Sequence, residues 1–361
     1  MIQYCYSHFA SKGLIFIAKH HPFSGRAAFL AITAASLTLP VGAQNPWAAN
    51  TATNTLASTD APQPPSRTRT SITKTTYLDR DAYRMSDGKT EAIIVPALGR
   101  VMSYRFVGGS NLLWNNPNKG GAPGGWMNYG GDKTWVGPQS AWPVFHGKAW
   151  PPDKVFDGTA HQDEVIGNDY LIVTSPVSPN IGSRIVRSYS FEHGEFVIGQ
   201  TVEKLRGTPV QMSIWSITQV NHPDAVFFLA NPKSTYRDGF HWMIKPKTAS
   251  PVELKIISQL PMYNLLPTHL LRAVPSPTEN FKFGLDSPES ALASVKDGVA
   301  FVQRSAKPKG QYPDGAEGSG FPVEFYSSGM RSAPYVELEI LSPIRLFHAG
   351  TSWTHTVRWN L

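Results

Sequence analysis

The stretch Leu112–Gly158 holds five of the chain's ten tryptophans: Trp114, Trp126, Trp135, Trp142 and Trp150. Asn128, Tyr129, Asp132, Lys133, Gln139, His146, Asp153 and Asp157 are interleaved with them among glycines and prolines. Flat indole faces beside amide, carboxylate and ammonium groups are the chemistry that holds a sugar. The C–H face of a pyranose packs on an aromatic ring, and its hydroxyl rim needs partners that donate and accept. The segment is too long for an ordinary connection, and long ordered loops usually bind or catalyse. Its tryptophans either meet a ligand or pin the loop to the rest of the chain, and different tryptophans can do different things. The glycine run Gly120–Gly125 matches neither nucleotide-binding fingerprint.

Three strand-like segments carry the other candidate groups. In Tyr335–Leu341, period two places Val336, Leu338 and Ile340 on an apolar face and Glu337 and Glu339 on the other. In Val210–Val220, Gln211, Ser213, Trp215, Ile217 and Gln219 share a polar–aromatic face suited to the floor of a site. In Arg184–Glu192, Arg187 shares a face with Ile185, Tyr189 and Phe191, either as a ligand-facing cation or as half of an ion pair. A carboxylate from Glu337 or Glu339 with His222, in Asn221-His222-Pro223-Asp224, would make an acid–base pair. The ordinary alternatives are solvent-exposed acids and a turn histidine. No spacing suits a metal, a nucleotide cofactor or a nucleophilic serine, so neither metal nor cofactor is expected.

These groups must be positioned by a chain of 361 residues, 41% apolar, 11% aromatic and only 16% charged. That composition supports a large core and suits neutral ligands. The formal charge of +7 includes a leader. Residues 1–43 read as a signal peptide: the apolar run Ala27–Val41 follows Arg26 and ends in Val41-Gly42-Ala43, a small-x-small cleavage pattern. The run is too short to span a membrane, and no transmembrane span is expected in the mature chain. Cleavage removes Lys12, Lys19, Arg26 and the single cysteine, Cys5, lowering the charge from 33 − 26 = +7 to 30 − 26 = +4. A periplasmic or secreted location follows. With no basic cluster, nucleic acid is not an expected partner. Residues 44–75, rich in Thr, Ala, Asn, Pro and Ser, read as a flexible leader or linker, and 76–361 as one domain.

Within that domain, Ala92–Val95, Tyr170–Thr174, Phe196–Val202, Val226–Leu229, Val252–Ile257, Val299–Val302 and Val323–Tyr326 join the strands above. All are rich in β-branched and aromatic residues between Gly, Pro, Asn or Asp. Only Pro288–Lys296 reads as a short helix. Many short strands without amphipathic helices predict an all-β fold of two large antiparallel sheets packed face to face.

The motif Asn128-Tyr129-Gly130-Gly131-Asp132-Lys133-x-Trp135, with Pro138-Gln139, Trp142-Pro143, Trp150-Pro151-Pro152-Asp153 and Phe156-Asp157-Gly158, resembles the bacterial DUF4380 family, whose function is unassigned. The resemblance covers residues 76–361 and implies a galactose mutarotase-like β-supersandwich, shared with aldose 1-epimerases. The closing strand ending Val357-Arg358-Trp359-Asn360-Leu361 is similar to the end of such domains. In mutarotases a carboxylate takes the anomeric proton and a histidine donates to the ring oxygen. The resemblance places the carboxylate on Glu337 or Glu339, but Thr218-Gln219-Val220 stands where the family carries its histidine, with His222 three residues beyond Gln219. The expectation is therefore an exported protein that binds a mono- or oligosaccharide. Its ligand residues would be Trp126, Asn128, Tyr129, Asp132, Lys133, Trp135, Gln139, Trp142, Trp150, Asp153, Arg187, Trp215 and Gln219. An aldose 1-epimerase using Glu337 or Glu339 with His222, and an envelope interaction module, are the alternatives. Intact-mass measurement of the exported protein should give a chain beginning near Gln44. A mass that includes residues 1–43 would overturn the leader assignment.

Overall fold

In the computed structural model, residues 70–117, 126–248, 251–257, 268–315, 320–331 and 334–361 are described. The expected leader, all but the last residues of the linker, and the glycine run Gly120–Gly125 lie outside them. The strand Ser71–Tyr77 pairs along its whole length with Arg80–Ser86, so the first sheet begins inside the stretch expected as linker.

Two large antiparallel sheets make up the fold. The first runs in the order Ser71–Tyr77, Arg80–Ser86, Thr90–Val95, Arg100–Phe106, Asp132–Gly137, Val210–Asn221, Tyr335–Leu341, Val323–Ser327, Phe281–Leu285 and His241–Ile244, with Arg345–Phe347 paired to the start of Val210–Asn221. The second runs Val252–Ile257, Thr268–Ala273, Ala225–Leu229, Ser290–Lys296, Val299–Ser305, Thr351–Asn360, Glu195–Lys204, Ser183–Glu192, Tyr170–Thr174 and Gln162–Ile166. Their facing sides interdigitate in one core. Tyr104, Phe283, Phe325 and Leu338 of the first sheet meet Phe196, Phe228, Phe301 and Trp359 of the second. The alternation read from Tyr335–Leu341 holds, with Val336, Leu338 and Ile340 in this core.

The expected helix at Pro288–Lys296 is instead the strand Ser290–Lys296, paired on both sides. Ser290, Leu292 and Ser294 are buried alternately with less buried Ala291 and Ala293. The alanines raise local helix propensity, but pairing with a strand on each side sets period two.

The Gly/Trp segment is not one long loop. Its middle, Asp132–Gly137, is a fully buried strand of the first sheet, followed by the short helix Trp142–His146. The turn into that strand needs two glycines. Gly130 and Gly131 have φ of 88° and 70°, and a Cβ on them would lie 2.1 Å from the Trp114 carbonyl oxygen and 2.3 Å from that of Val101.

Between the sheets, next to the apolar core, lies a polar chain. Arg187 of the second sheet pairs with the Asp132 carboxylate and donates to the Gly99 and Asp132 carbonyls, each at 3.0 Å. Thr218 donates to Asp132 at 2.8 Å and accepts from Gln303 at 2.8 Å. Thr134 donates to Gln200 of the opposite sheet at 2.5 Å. Arg187 and Asp132, both expected as ligand residues, therefore face each other across the sheets, away from the outer face. Each is buried and already met by the other. Asp132→Ala would leave a guanidinium buried without its counter-charge. Denaturant unfolding should show a loss of about 3–5 kcal/mol, and a loss below about 1 kcal/mol would mean the pair does not hold this end of the sandwich.

Candidate functional site

On the outer side of the first sheet, away from the core, the period-two alternation of five strands assembles a polar and aromatic face. Inward Asp132 and Thr134 leave Lys133 and Trp135 pointing outward. In one row across the sheet, Gln219, Glu337, Tyr326 and Lys282 are successive cross-strand neighbours. In the next, Lys133, Ile217, Glu339 and Glu324 are neighbours, ending at Gly284. Trp135 pairs with Trp215 in the third.

Of the three glutamates on this face, Glu337 is the one solvent reaches: its side chain is 15% exposed, and those of Glu324 and Glu339 are fully buried. Its Oε1 accepts from Gln219 Nε2 at 2.7 Å and from Lys133 Nζ at 3.3 Å. The Lys133 ammonium sits over the Trp135 ring, 4.7 Å from its centre. Burial pulls the Lys133 pKa below its ordinary value, against the opposing pull of Glu337.

Beside this pair lies a deeper one. Glu339 and Glu324 are fully buried and both reach Lys282 Nζ, at 3.0 and 2.7 Å. Trp215 Nε1 donates to Glu339 at 2.8 Å, and the Lys282 ammonium lies 4.7 Å from the centre of the Trp215 ring. Burial pushes Glu324 well above the carboxylate range, against the attraction of Lys282, and Glu339 adds repulsion. Burial raises Glu339 as well, against the attraction of Lys282. Burial opposes the Lys282 charge, but the two glutamates hold its pKa above the ordinary value. Lys133 is thus paired with Glu337, and Lys282 lies between the two buried carboxyls.

At the border of the face stand the loop tryptophans. Trp135 and Trp142 are buried, and the Trp142 indole donates to the Val136 carbonyl at 2.8 Å. Trp150 is 48% exposed. It stacks on Trp142, with ring centres 6.0 Å apart at 26°, and meets the edges of Trp135 at 6.1 Å and Trp126 at 4.9 Å. Trp126 Nε1 donates to Asp157 at 3.0 Å, and Asp157 is paired with buried Arg100. Trp142 thus anchors, whereas Trp150 offers an open indole face on a rigid support.

The other expected residues scatter. Asn128 donates to the Tyr335 hydroxyl at 3.3 Å and its side-chain oxygen accepts from Gly130 N–H at 3.3 Å, so it shapes the turn. The Tyr129 ring lies between the guanidiniums of Arg80 and Arg100, 5.6 and 5.7 Å from its centre. Gln139 opens the 3-10 turn Gln139–Ala141 and is half-buried. Asp153 accepts from Ser178 at 2.6 Å and from Asn180 at 3.2 Å. The charged and polar groups around His222 are Lys296, Asp224 and Ser276, none of which touches Glu337. The structure therefore does not bring His222 to the carboxylate. Lys282, Glu324 and Tyr326 were not foreseen, although period two in Phe281–Leu285 and Val323–Tyr326 would have put them opposite Phe281, Phe283 and Phe325.

No family model and no curated protein matches the chain. Solved structures do. A galactose mutarotase-like protein from Lactobacillus casei aligns with 77% of this chain and 99% of its own, at 8% identity and a TM-score of 0.47. A galactose mutarotase related enzyme from Lactobacillus acidophilus aligns over 77% and 96%, at 10% identity and a TM-score of 0.47. A TPR-domain containing protein from Parabacteroides distasonis is matched over 78% of this chain at 13% identity and a TM-score of 0.46, and the chain spans 46% of that protein's length.

The anchor and the open indole should separate in experiment. Trp142→Ala should cost about 3–5 kcal/mol of stability. Trp150→Ala, at a residue half-exposed where Trp142 is fully buried, should cost less, about 1–2 kcal/mol. Equal losses in thermal or denaturant unfolding would make Trp150 an anchor too.

Proposed function

We propose that this is an exported carbohydrate-binding protein, a DUF4380-type chain with a galactose mutarotase-like supersandwich, whose ligand rests on the outer face of the first sheet. The observation that carries the reading is Glu337. It is a solvent-reachable carboxylate oriented by Gln219 and Lys133, on the same face as Trp135 and Trp215 and bordered by the open indole of Trp150. A charged ligand would compete with the ion pairs that Lys133 and Lys282 already make on that face, whereas hydroxyls can bond to Glu337 without displacing a charge. Aromatic surface beside a few fixed polar groups is the general form of a small-molecule site.

A second reading, an aldose epimerase, draws on the contact of the Lys133 ammonium with Glu337, since a donor and an acceptor of protons stand together there. It lacks a histidine at the site: Gln219 occupies the neighbouring place and does not titrate. Polarimetry with free glucose and galactose separates the two readings, because only the epimerase accelerates mutarotation.

On a glycan array, residues 44–361 should retain neutral glycans. Glu337→Gln should weaken that binding about tenfold or more, the worth of a hydrogen bond to a charged acceptor. Retention of no glycan, or unchanged binding by the variant, would overturn the reading.

A further inference from the structure

A concavity lies between the Gly/Trp segment and the turn around Asn180, with a volume of about 440 Å³. Its lining includes Trp126, Tyr129, His146, Lys148, Asp153 and Asn180. Trp126 touches Trp150 at the border of the sheet face. That size lies within the usual range for small-ligand sites, roughly 300–1,000 Å³.

The groups in the cleft are those a ring of hydroxyls needs. Trp126 supplies an aromatic wall whose orientation is fixed by its bond to Asp157. Asp153 and Asn180 lie hydrogen-bonded to each other at 3.2 Å. His146 Nε2 is buried and has no hydrogen-bond partner. Lys148 is exposed at the cleft.

The route from the cleft to Glu337 is aromatic throughout. Trp126 meets Trp150 at 4.9 Å, Trp150 meets Trp135 at 6.1 Å, and Trp135 lies under the ammonium of Lys133, which touches Glu337. Trp150, half-exposed, links the Trp126 and Trp135 ends of this chain of contacts. A single sugar ring bonded to Glu337 would leave both Trp150 and the cleft unused.

We infer that the cleft is a second sugar subsite, and that the ligand is an uncharged oligosaccharide of at least two units running from Glu337 over Trp150 to Trp126 and His146. The inference rests on the carbohydrate reading above and adds the ligand's length and course. One unit bonds to Glu337 and Gln219 through its hydroxyls. The next lies on Trp126 in the cleft, with His146 as a hydrogen-bond partner.

Titration calorimetry on the full chain tests this with three ladders of mono-, di- and trisaccharides: glucose, cellobiose and cellotriose; N-acetylglucosamine, chitobiose and chitotriose; and galactose with its β-1,4-linked di- and trisaccharides. Within the ladder that binds, the longer members should bind about tenfold more tightly than the monosaccharide, the gain expected from one aromatic contact and its hydrogen bonds. His146→Ala and Trp126→Ala should each bring that ratio toward one. Glu337→Gln should instead weaken every member of the ladder in parallel. A monosaccharide that binds as tightly as its trimer, or a ratio that survives both cleft variants, overturns the inference and leaves the carbohydrate reading standing. No binding by any of the nine sugars overturns both.

Discussion

The ion pair between Arg187 and Asp132 sets the register on which the rest of this protein's surface chemistry depends. Asp132 is the first residue of the strand Asp132–Gly137, and Arg187 holds it between the sheets. With Asp132 inward, Lys133 must point out, Thr134 in and Trp135 out. A slip of one residue would turn the lysine and the tryptophan in between the sheets and the aspartate to the outer face. Thr134 repeats the constraint by reaching Gln200 of the opposite sheet. Such a strand needs pinning. Its flank toward Arg100–Phe106 pairs through Val101 and Asp132 alone, so its neighbour on that side does little to fix it.

The outer face shows how a buried polar surface can be made tolerable. Two lysines and three glutamates lie together on it, most of them withdrawn from water. Separately each would carry a heavy desolvation cost. Lys133 is paired with Glu337, and Lys282 with both buried carboxyls. The tryptophans contribute as well as the counter-ions. Each ammonium lies 4.7 Å from the centre of an indole ring, Lys133 on Trp135 and Lys282 on Trp215, so the aromatic faces stabilise the cations that water no longer reaches. Glu337 differs from the other two glutamates in keeping contact with solvent, as a carboxylate held by Gln219 and Lys133 at the edge of this ion-paired surface.

The Gly/Trp segment joins these two arrangements. Its glycines allow the tight entry at Gly130 and Gly131. Its middle becomes a sheet strand, and its later tryptophans form a layered cluster in which buried Trp142 supports half-exposed Trp150. One stretch of sequence therefore supplies the strand that bears Lys133 and Trp135 and also the aromatic border outside it. The same composition that reads as a loop is mostly structure, because indoles packed edge to face replace the regular backbone pairing that glycine and proline interrupt.

Much of the fold was legible from period two alone. Val336, Leu338 and Ile340 against Glu337 and Glu339 is a signal of one buried and one outer face, and the core bears it out, as it does the all-β class. The misread segment, Ser290–Lys296, has a composition equally compatible with a helix, and strands distant in sequence decided it. The residue types at the site were also visible, because aromatics and carboxylates announce themselves by kind. Their grouping was not. Arg187 shares its face with large apolar residues, which fits either a ligand-facing cation or a buried pair, and only the position of Asp132 on another sheet selects the second. Lys282 and Glu324 become neighbours of Glu339 through the order of strands in the sheet, which local sequence does not encode. Sequence by itself determined which side of each strand carries the chemistry, since alternation is a property of the extended backbone. Tertiary structure alone decided which of those sides lie together, which charges cancel and which indole stays open, because each depends on pairing between segments that lie up to two hundred residues apart, as Lys133 and Glu337 do at a separation of 204.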